Sequence, residues 1–167
     1  MFAQFFRLAF ALGLLASAAS AQERVPQFKD YPAGGVYRGR NAPVRLTRDG
    51  RMFRTRLREA ARERPNFAGH YVVTYWGCGT GCVMGAAVDA RTGSVVWFPG
   101  TICCWWQPGD PPPDDNFEPV TYRLDSSLIV FAGARNERDG DVATHFYKIK
   151  GGRFVHLRSI PKGRPQR

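Results

Sequence analysis

Histidine, methionine and lysine are scarce in this 167-residue chain: three His, three Met, and four Lys against 20 Arg. The three histidines, His70, His145 and His156, form no His-Glu zinc motif and no Ser/His/Asp arrangement, and no phosphate-binding glycine loop is present. Asp139-Gly140-Asp141 falls short of a calcium loop, and Asp110, Asp114 and Asp115 are spaced by prolines without a coordination pattern. Long hydrophobic runs are also lacking. Beyond residue 21 the longest is Leu128 to Ala132, far below the roughly 20 residues a membrane-spanning helix needs. There is no internal repeat, and the length allows one domain of ordinary size. No cofactor is expected, and nothing in these residues demands an enzyme.

What is present begins with an export signal. Met1 to Arg7 carries one positive charge, Leu8 to Leu15 is a short apolar stretch, and Ala19 and Ala21 place small residues where a signal peptidase reads. Residues 1–21 are therefore expected to be removed before Gln22, leaving a periplasmic or secreted protein with no membrane span. No cysteine lies near the cleavage point, which speaks against a lipid anchor.

Loss of Arg7 lowers the formal charge from +10 to +9. Export argues against a nucleic-acid partner and leaves anionic partners of an envelope: phosphorylated lipid, a wall polymer, or an acidic envelope protein. Arginine-rich coding composition alone also produces such a charge, so the balance of signs does not define a function.

Residues 22–48 are rich in Pro, Gly and Arg and read as an irregular lead-in with at most an edge strand around Val36 to Arg38. A single α+β domain is expected over 49–160, followed by a basic tail, 161–167. Asp49 is placed to cap an amphipathic helix running to about Arg64, where Pro65 and Asn66 end it. On that helix Phe53, Leu57, Ala60 and Ala61 share one face, Arg51, Arg54, Arg58 and Arg62 form a stripe beside it, and Glu59 and Glu63 take the other flank.

Downstream the period changes to that of strands. His70 to Trp76 is apolar on both faces, which predicts a central strand. Val83 to Asp89 and Ser94 to Phe98 flank a glycine-closed turn. Pro99 to Pro119 reads as a long loop, since its prolines cannot enter a sheet interior. Val120 to Leu124, Leu128 to Ala132, Thr144 to Lys150 and Arg153 to Arg158 complete an antiparallel sheet of about six strands with one helix packed on it. The Gly151-Gly152 turn fixes a hairpin register in which Ile149 opposes Phe154, Tyr147 opposes His156 and His145 opposes Arg158. His145 then lies diagonal to His156, either packed and hydrogen-bonded or forming a pH-sensitive pair.

Four cysteines, Cys78, Cys82, Cys103 and Cys104, carry most of the chemistry. In an oxidising compartment an even count reads as disulfides, with three possible connectivities. Adjacent Cα atoms lie about 3.8 Å apart, below the usual disulfide range of about 4.4 to 6.8 Å, which weighs against a Cys103–Cys104 bond. Cys78 and Cys82 each bonded to one of the later pair would pin the long loop. Yet the segment Cys78-Gly79-Thr80-Gly81-Cys82 is flexible enough to close on itself, so both arrangements stay open. A soft-metal site on Cys78, Cys82, His70 and Met84, or a redox dithiol, is the alternative chemistry.

Trp105 and Trp106 in the loop, with Trp76 near a strand end, offer either an aromatic contact platform or a cover for the sheet end. Together with the Cys78 to Cys82 turn and the stripe of Arg51, Arg54, Arg58 and Arg62, they form the candidate binding surface.

Asn66-Phe67-Ala68-Gly69-His70-Tyr71, Trp76-Gly77-Cys78-Gly79-Thr80-Gly81-Cys82 and Asp89-Ala90-Arg91-Thr92-Gly93 resemble the motifs of a family of small exported proteobacterial proteins with no assigned activity. The resemblance covers about Arg51 to Phe98. A fainter likeness is to periplasmic lysozyme inhibitors of the Ivy type, which set a cysteine-closed loop between strands; the loop Gly79-Thr80-Gly81 lacks the histidine those inhibitors insert. No activity comes with the first resemblance; the long cysteine-anchored loop is what leads to the expectation of a non-catalytic binding or inhibitor-type module.

Overall fold

The β-branched and aromatic run after His70 forms an antiparallel hairpin of β1 (Tyr71–Gly79) and β2 (Cys82–Asp89). The structure, a computed structural model, describes residues 24–106, 114–138 and 140–163. The expected signal segment 1–21, Asp110 with its prolines, Asp139, and most of the basic tail lie outside the described residues. β3 (Val95–Trp97) returns along the distal half of β2. A second run, β5 (Val120–Tyr122), β6 (Leu128–Arg135), β7 (Ala143–Lys150) and β8 (Arg153–Pro161), is antiparallel throughout.

Eight strands are found where about six are expected, and β4 (Ile102–Cys103) is the one with no sequence signal. Its two residues lie inside the segment read as loop. They form a strand because they fill the slot between Cys82–Val83 of β2 and Ala134–Arg135 of β6. Gly133 makes that approach possible: at φ +136°, a Cβ there would stand 2.2 Å from the Cys103 carbonyl oxygen. β4 thus joins both strand runs into one sheet of order β1-β2-β4-β6-β7-β8, with β3 paired to β2 and β5 to β6.

β1 is an edge strand in this order, not a central one. Its two-faced apolar pattern arises from covers on both sides. Tyr71 and Val73 face the main core, which draws on every strand and includes Phe67, Phe98, Ile102, Phe131 and Ile149. Val72 faces the other way, with Ala86 and Val88 of β2, against Leu57 and Ala60 of the helix. Both halves of the sheet therefore share one core while the helix covers the outer face of the first half.

The helix is shorter than its pattern predicts. Asp49–Arg51 is a 3₁₀ turn in which the Asp49 side chain caps nothing, and α1 spans only Arg54–Ala60. Phe53 interrupts the two with non-helical dihedrals (φ −105°, ψ 19°), its ring packed on Trp76 and Trp97 at centroid distances of 5.0 and 5.5 Å. At the other end the last turn tightens, Glu63 N–H donating to the Ala60 carbonyl. The Asn41 side chain then takes the free carbonyls of Ala61 and Glu63.

The lead-in is irregular, and Val36 to Arg38 is not a strand. It is nevertheless tied down: Tyr37 N–H donates to Gly69, Ala42 N–H to Ala90 and Arg45 N–H to Gly93, each within 2.8 Å. Gly93, at φ +74°, is required there because a Cβ would meet the Pro43 carbonyl oxygen at 1.9 Å.

In the final hairpin the predicted pairs Ile149 with Phe154 and Tyr147 with His156 are found, but His145 faces Ser159 instead of Arg158. A bulge at Leu157 inserts one extra residue into β8 and shifts the register beyond it.

Candidate functional site

Four places bring chemistry-bearing side chains together. The first is the sulfur and tryptophan patch at the β1–β2 turn. Both cysteine pairs close locally: Cys78 with Cys82 (Cα separation 5.2 Å) and Cys103 with Cys104 (3.8 Å), leaving no free cysteine. The vicinal bond, disfavoured on Cα spacing, is accommodated with Cys104 at φ +58°. Cys78 is the extra residue of a β-bulge and is exposed; Cys104 is exposed as well. Their partners are not: Cys82 is 6% and Cys103 2% exposed, and the two are cross-strand neighbours in a small buried cluster with Ala134.

Trp105 follows directly, half-buried against the core edge and 6.0 Å from the Phe117 ring, with Lys162 Nζ donating to its carbonyl. Trp106 is 47% exposed. The Cys78 to Cys82 turn and the tryptophan loop therefore lie side by side, joined through Cys82 and Cys103. Trp76 belongs elsewhere, in the cluster with Phe53 and Trp97, where its buried Nε1 has no hydrogen-bond partner.

The four-residue metal set does not assemble. His70 and Cys78 stand at opposite ends of β1, and at about 3.3 Å per residue of extended chain that is roughly 25 Å. Met84 is the cross-strand partner of Trp76, and no cluster of three or more His, Cys, Asp or Glu suited to a metal occurs among the described residues.

The second place is an open groove of about 1460 Å³ between the lead-in and the end of α1. It is lined by Arg38, Arg40, Arg58, Arg62 and Arg64, with Glu63 the one acid. None of these arginines takes part in an ion pair among the described residues. The predicted stripe is thus divided: Arg58 and Arg62 enter the groove, whereas Arg51 and Arg54 flank Phe53 at the start of the helix, exposed. Arg38, Arg40 and Arg64 were not among the sequence candidates, because nothing local shows that the lead-in folds back onto the helix.

The third place unites two of the sequence motifs. His70, Asp89 and Arg91 border a pocket of about 620 Å³ together with the Gly151-Gly152 turn. An arginine only donates, so the short contact between Arg91 Nη2 and His70 Nε2 makes the imidazole nitrogen the acceptor. Asp89, 8% exposed, accepts from the Arg91 backbone N–H at 2.8 Å and lies 3.9 Å from His70 Nε2. Burial, reinforced by the Arg91 charge, holds the His70 pKa below its ordinary value. These residues are committed to one another and tie the start of β1 to the Asp89 turn.

His145 and His156 also meet, through a shared hydroxyl: Ser159 Oγ is 2.7 Å from His145 Nδ1 and 2.8 Å from His156 Nε2. His145 is fully buried and its Nε2 donates to the carbonyls of Gly133 and Asp141. Burial, and secondarily the charge of Arg135, lower its pKa.

Fold and sites together define an antiparallel α+β domain with disulfides and a basic groove; no helix among the described residues is long and apolar enough to cross a membrane. Comparison with family models, with curated proteins and with solved structures finds no match.

Proposed function

We propose that this is an exported, non-catalytic binding module that holds an anionic envelope polymer along the groove between the lead-in and α1. The observation that carries the reading is the grouping of five unpaired guanidinium groups around one open groove with a single acid. Arginine side chains in such a setting offer forked donors to carboxylate, sulfate or phosphate esters, and the like charges around the groove raise the local concentration of a polyanion. The tryptophan patch, with Trp106 exposed, supplies a separate aromatic contact for a sugar ring or a protein partner.

The test is retention of the protein on immobilised heparin, used as a defined anionic polysaccharide, over a salt gradient. An Arg58→Gln/Arg62→Gln variant should elute at clearly lower salt than an Arg138→Gln/Arg153→Gln variant of equal charge. Equal elution of the two would reduce the interaction to net charge and sink the proposal.

The exposure of Cys78 favours a second reading, a metal-binding or thiol-redox protein using Cys78 and Cys82. It requires free thiols or bound copper in protein recovered from its own compartment without reductant or chelator. A native mass lower by four hydrogens, with no adduct, corresponds to the two disulfides and removes the metal-bound and resting free-thiol forms of this reading.

A further inference from the structure

Each disulfide joins one exposed and one buried cysteine, and the two buried cysteines stand directly opposite each other on β2 and β4. Opposed residues of an antiparallel pair project to the same face with Cβ atoms about 4.5 to 5.5 Å apart, and their Cα spacing, about 4.5 or 5.5 Å, lies within the range a disulfide spans. Burial of Cys82 and Cys103 in one cluster with Ala134 agrees with that contact. A third pairing, Cys82 with Cys103, is thus available without moving a strand.

We propose that the four cysteines form one thiol–disulfide exchange site, in which an external dithiol enters at Cys104 and the released thiols are Cys104 and Cys78. The thiolate of the dithiol attacks Sγ of Cys104, the exposed residue of its pair; the Cys103–Cys104 bond breaks, a mixed disulfide forms on Cys104, and Cys103 leaves as a thiolate. Cys103 attacks its neighbour Cys82, forming Cys82–Cys103 and expelling Cys78 as a thiolate. The second thiol of the dithiol then resolves the mixed disulfide. The dithiol has lost two electrons and two protons and becomes a disulfide. The protein has gained them: one disulfide, Cys82–Cys103, remains, and Cys78 and Cys104 carry the two thiols on the surface. The reaction is independent of the arginine groove, so failure of either proposal leaves the other standing.

Arg91 lies between the two cysteine pairs in sequence, which makes the pairing readable by trypsin. Local disulfides leave Cys78 and Cys82 on one peptide and Cys103 and Cys104 on another; a Cys82–Cys103 bond links the two. The folded protein is treated with one equivalent of dithiothreitol, trapped with N-ethylmaleimide at low pH, and mapped. The expected result is linked peptides carrying maleimide on Cys78 and Cys104. In Cys103→Ala, maleimide on Cys78 should fall at least tenfold at the same dithiol dose, whereas in Cys104→Ser, where Cys103 is already a thiol opposite Cys82, linked peptides with maleimide on Cys78 should form with no dithiol added; circular dichroism reports whether each variant is folded. Linked peptides already present in the untreated native protein would overturn the proposal, as would maleimide on Cys103 and Cys104 with Cys78–Cys82 intact in the treated native protein, or an unlabelled Cys78 in folded Cys104→Ser.

Discussion

Asn41 holds the end of α1 from 22 residues upstream, its side-chain amide donating to the Glu63 carbonyl at 2.7 Å and to the Ala61 carbonyl at 3.0 Å. The carbonyls left free at a helix C-terminus are satisfied here by the lead-in, and the same contact forms one wall of the arginine groove. Asn41→Ala should cost about 1–2 kcal/mol in chemical denaturation, the scale of two side-chain hydrogen bonds. It should also weaken heparin retention although no charge is changed. Unaltered retention would mean that the groove does not depend on this tether.

Gly133→Ala tests the seam at β4. The added methyl meets the Cys103 carbonyl at 2.2 Å and a φ of +136°, a combination expected to cost at least about 2 kcal/mol. Thermal unfolding measures the loss. Amide exchange should accelerate first at Ile102 and Cys103, whose partners are pushed away.

Acidification should destabilise the fold in two separate windows. His145 and His70 both have folded pKa values below the unfolded value, burial being the first cause in each. The unfolded chain therefore binds more protons just below the ordinary histidine pKa, so stability is full above about pH 6.5 and falls as pH drops toward the folded values. Asp141 behaves in the same direction at lower pH. Its carboxylate accepts from Arg135 Nε at 2.8 Å and Nη2 at 3.0 Å, which lowers its pKa, so its contribution disappears only below the usual carboxylate range. Urea midpoints at pH 7.5 and 5.5 should differ in the native protein and differ less in His145→Asn; an unchanged difference would remove His145 from the account.

Trp106→Ala should leave the unfolding midpoint within about 0.5 kcal/mol, as for an exposed surface position, whereas Trp105→Ala, which loses the Phe117 contact and the core edge, should cost more. If the patch binds a partner, both variants lose that binding; an interaction indifferent to both would discount the loop as a contact surface.

The parts of this fold legible in the sequence are those set by local chemistry. Gly151-Gly152 sets the last hairpin through Tyr147 and His156, and the Ala90 to Gly93 turn falls between its two strands. Illegible features depend on partners distant in sequence. β4 is two residues with no period, made a strand by β2 and β6. The Leu157 bulge moved His145 from Arg158 to Ser159, an insertion no alternation pattern reveals. α1 was overextended because its arginine stripe continues through a 3₁₀ turn and a break at Phe53, where packing on two tryptophans overrides helical spacing. Of the expected surface, the cysteine turn and Trp105–Trp106 lie side by side, while Trp76 packs in the helix-side cluster. Arg38 and Arg40 became groove residues only once the lead-in docked.

The two-residue stitch at β4 has a consequence for the order of assembly. Apart from the contacts of β2 and β6 with β4, strands β1 to β3 pair only with near neighbours in the chain, and so do β5 to β8. Each run can therefore form from contacts of low sequence separation, which form early because little loop entropy opposes them. Ile102 and Cys103 make the strand pairings of longest sequence separation, since β4 meets β6 more than thirty residues on. Cys78 and Cys82 face each other across a single hairpin turn, whereas Cys103 meets Cys82 only where the two strand runs are joined, and the smaller loop entropy favours the local pairs over the long-range ones.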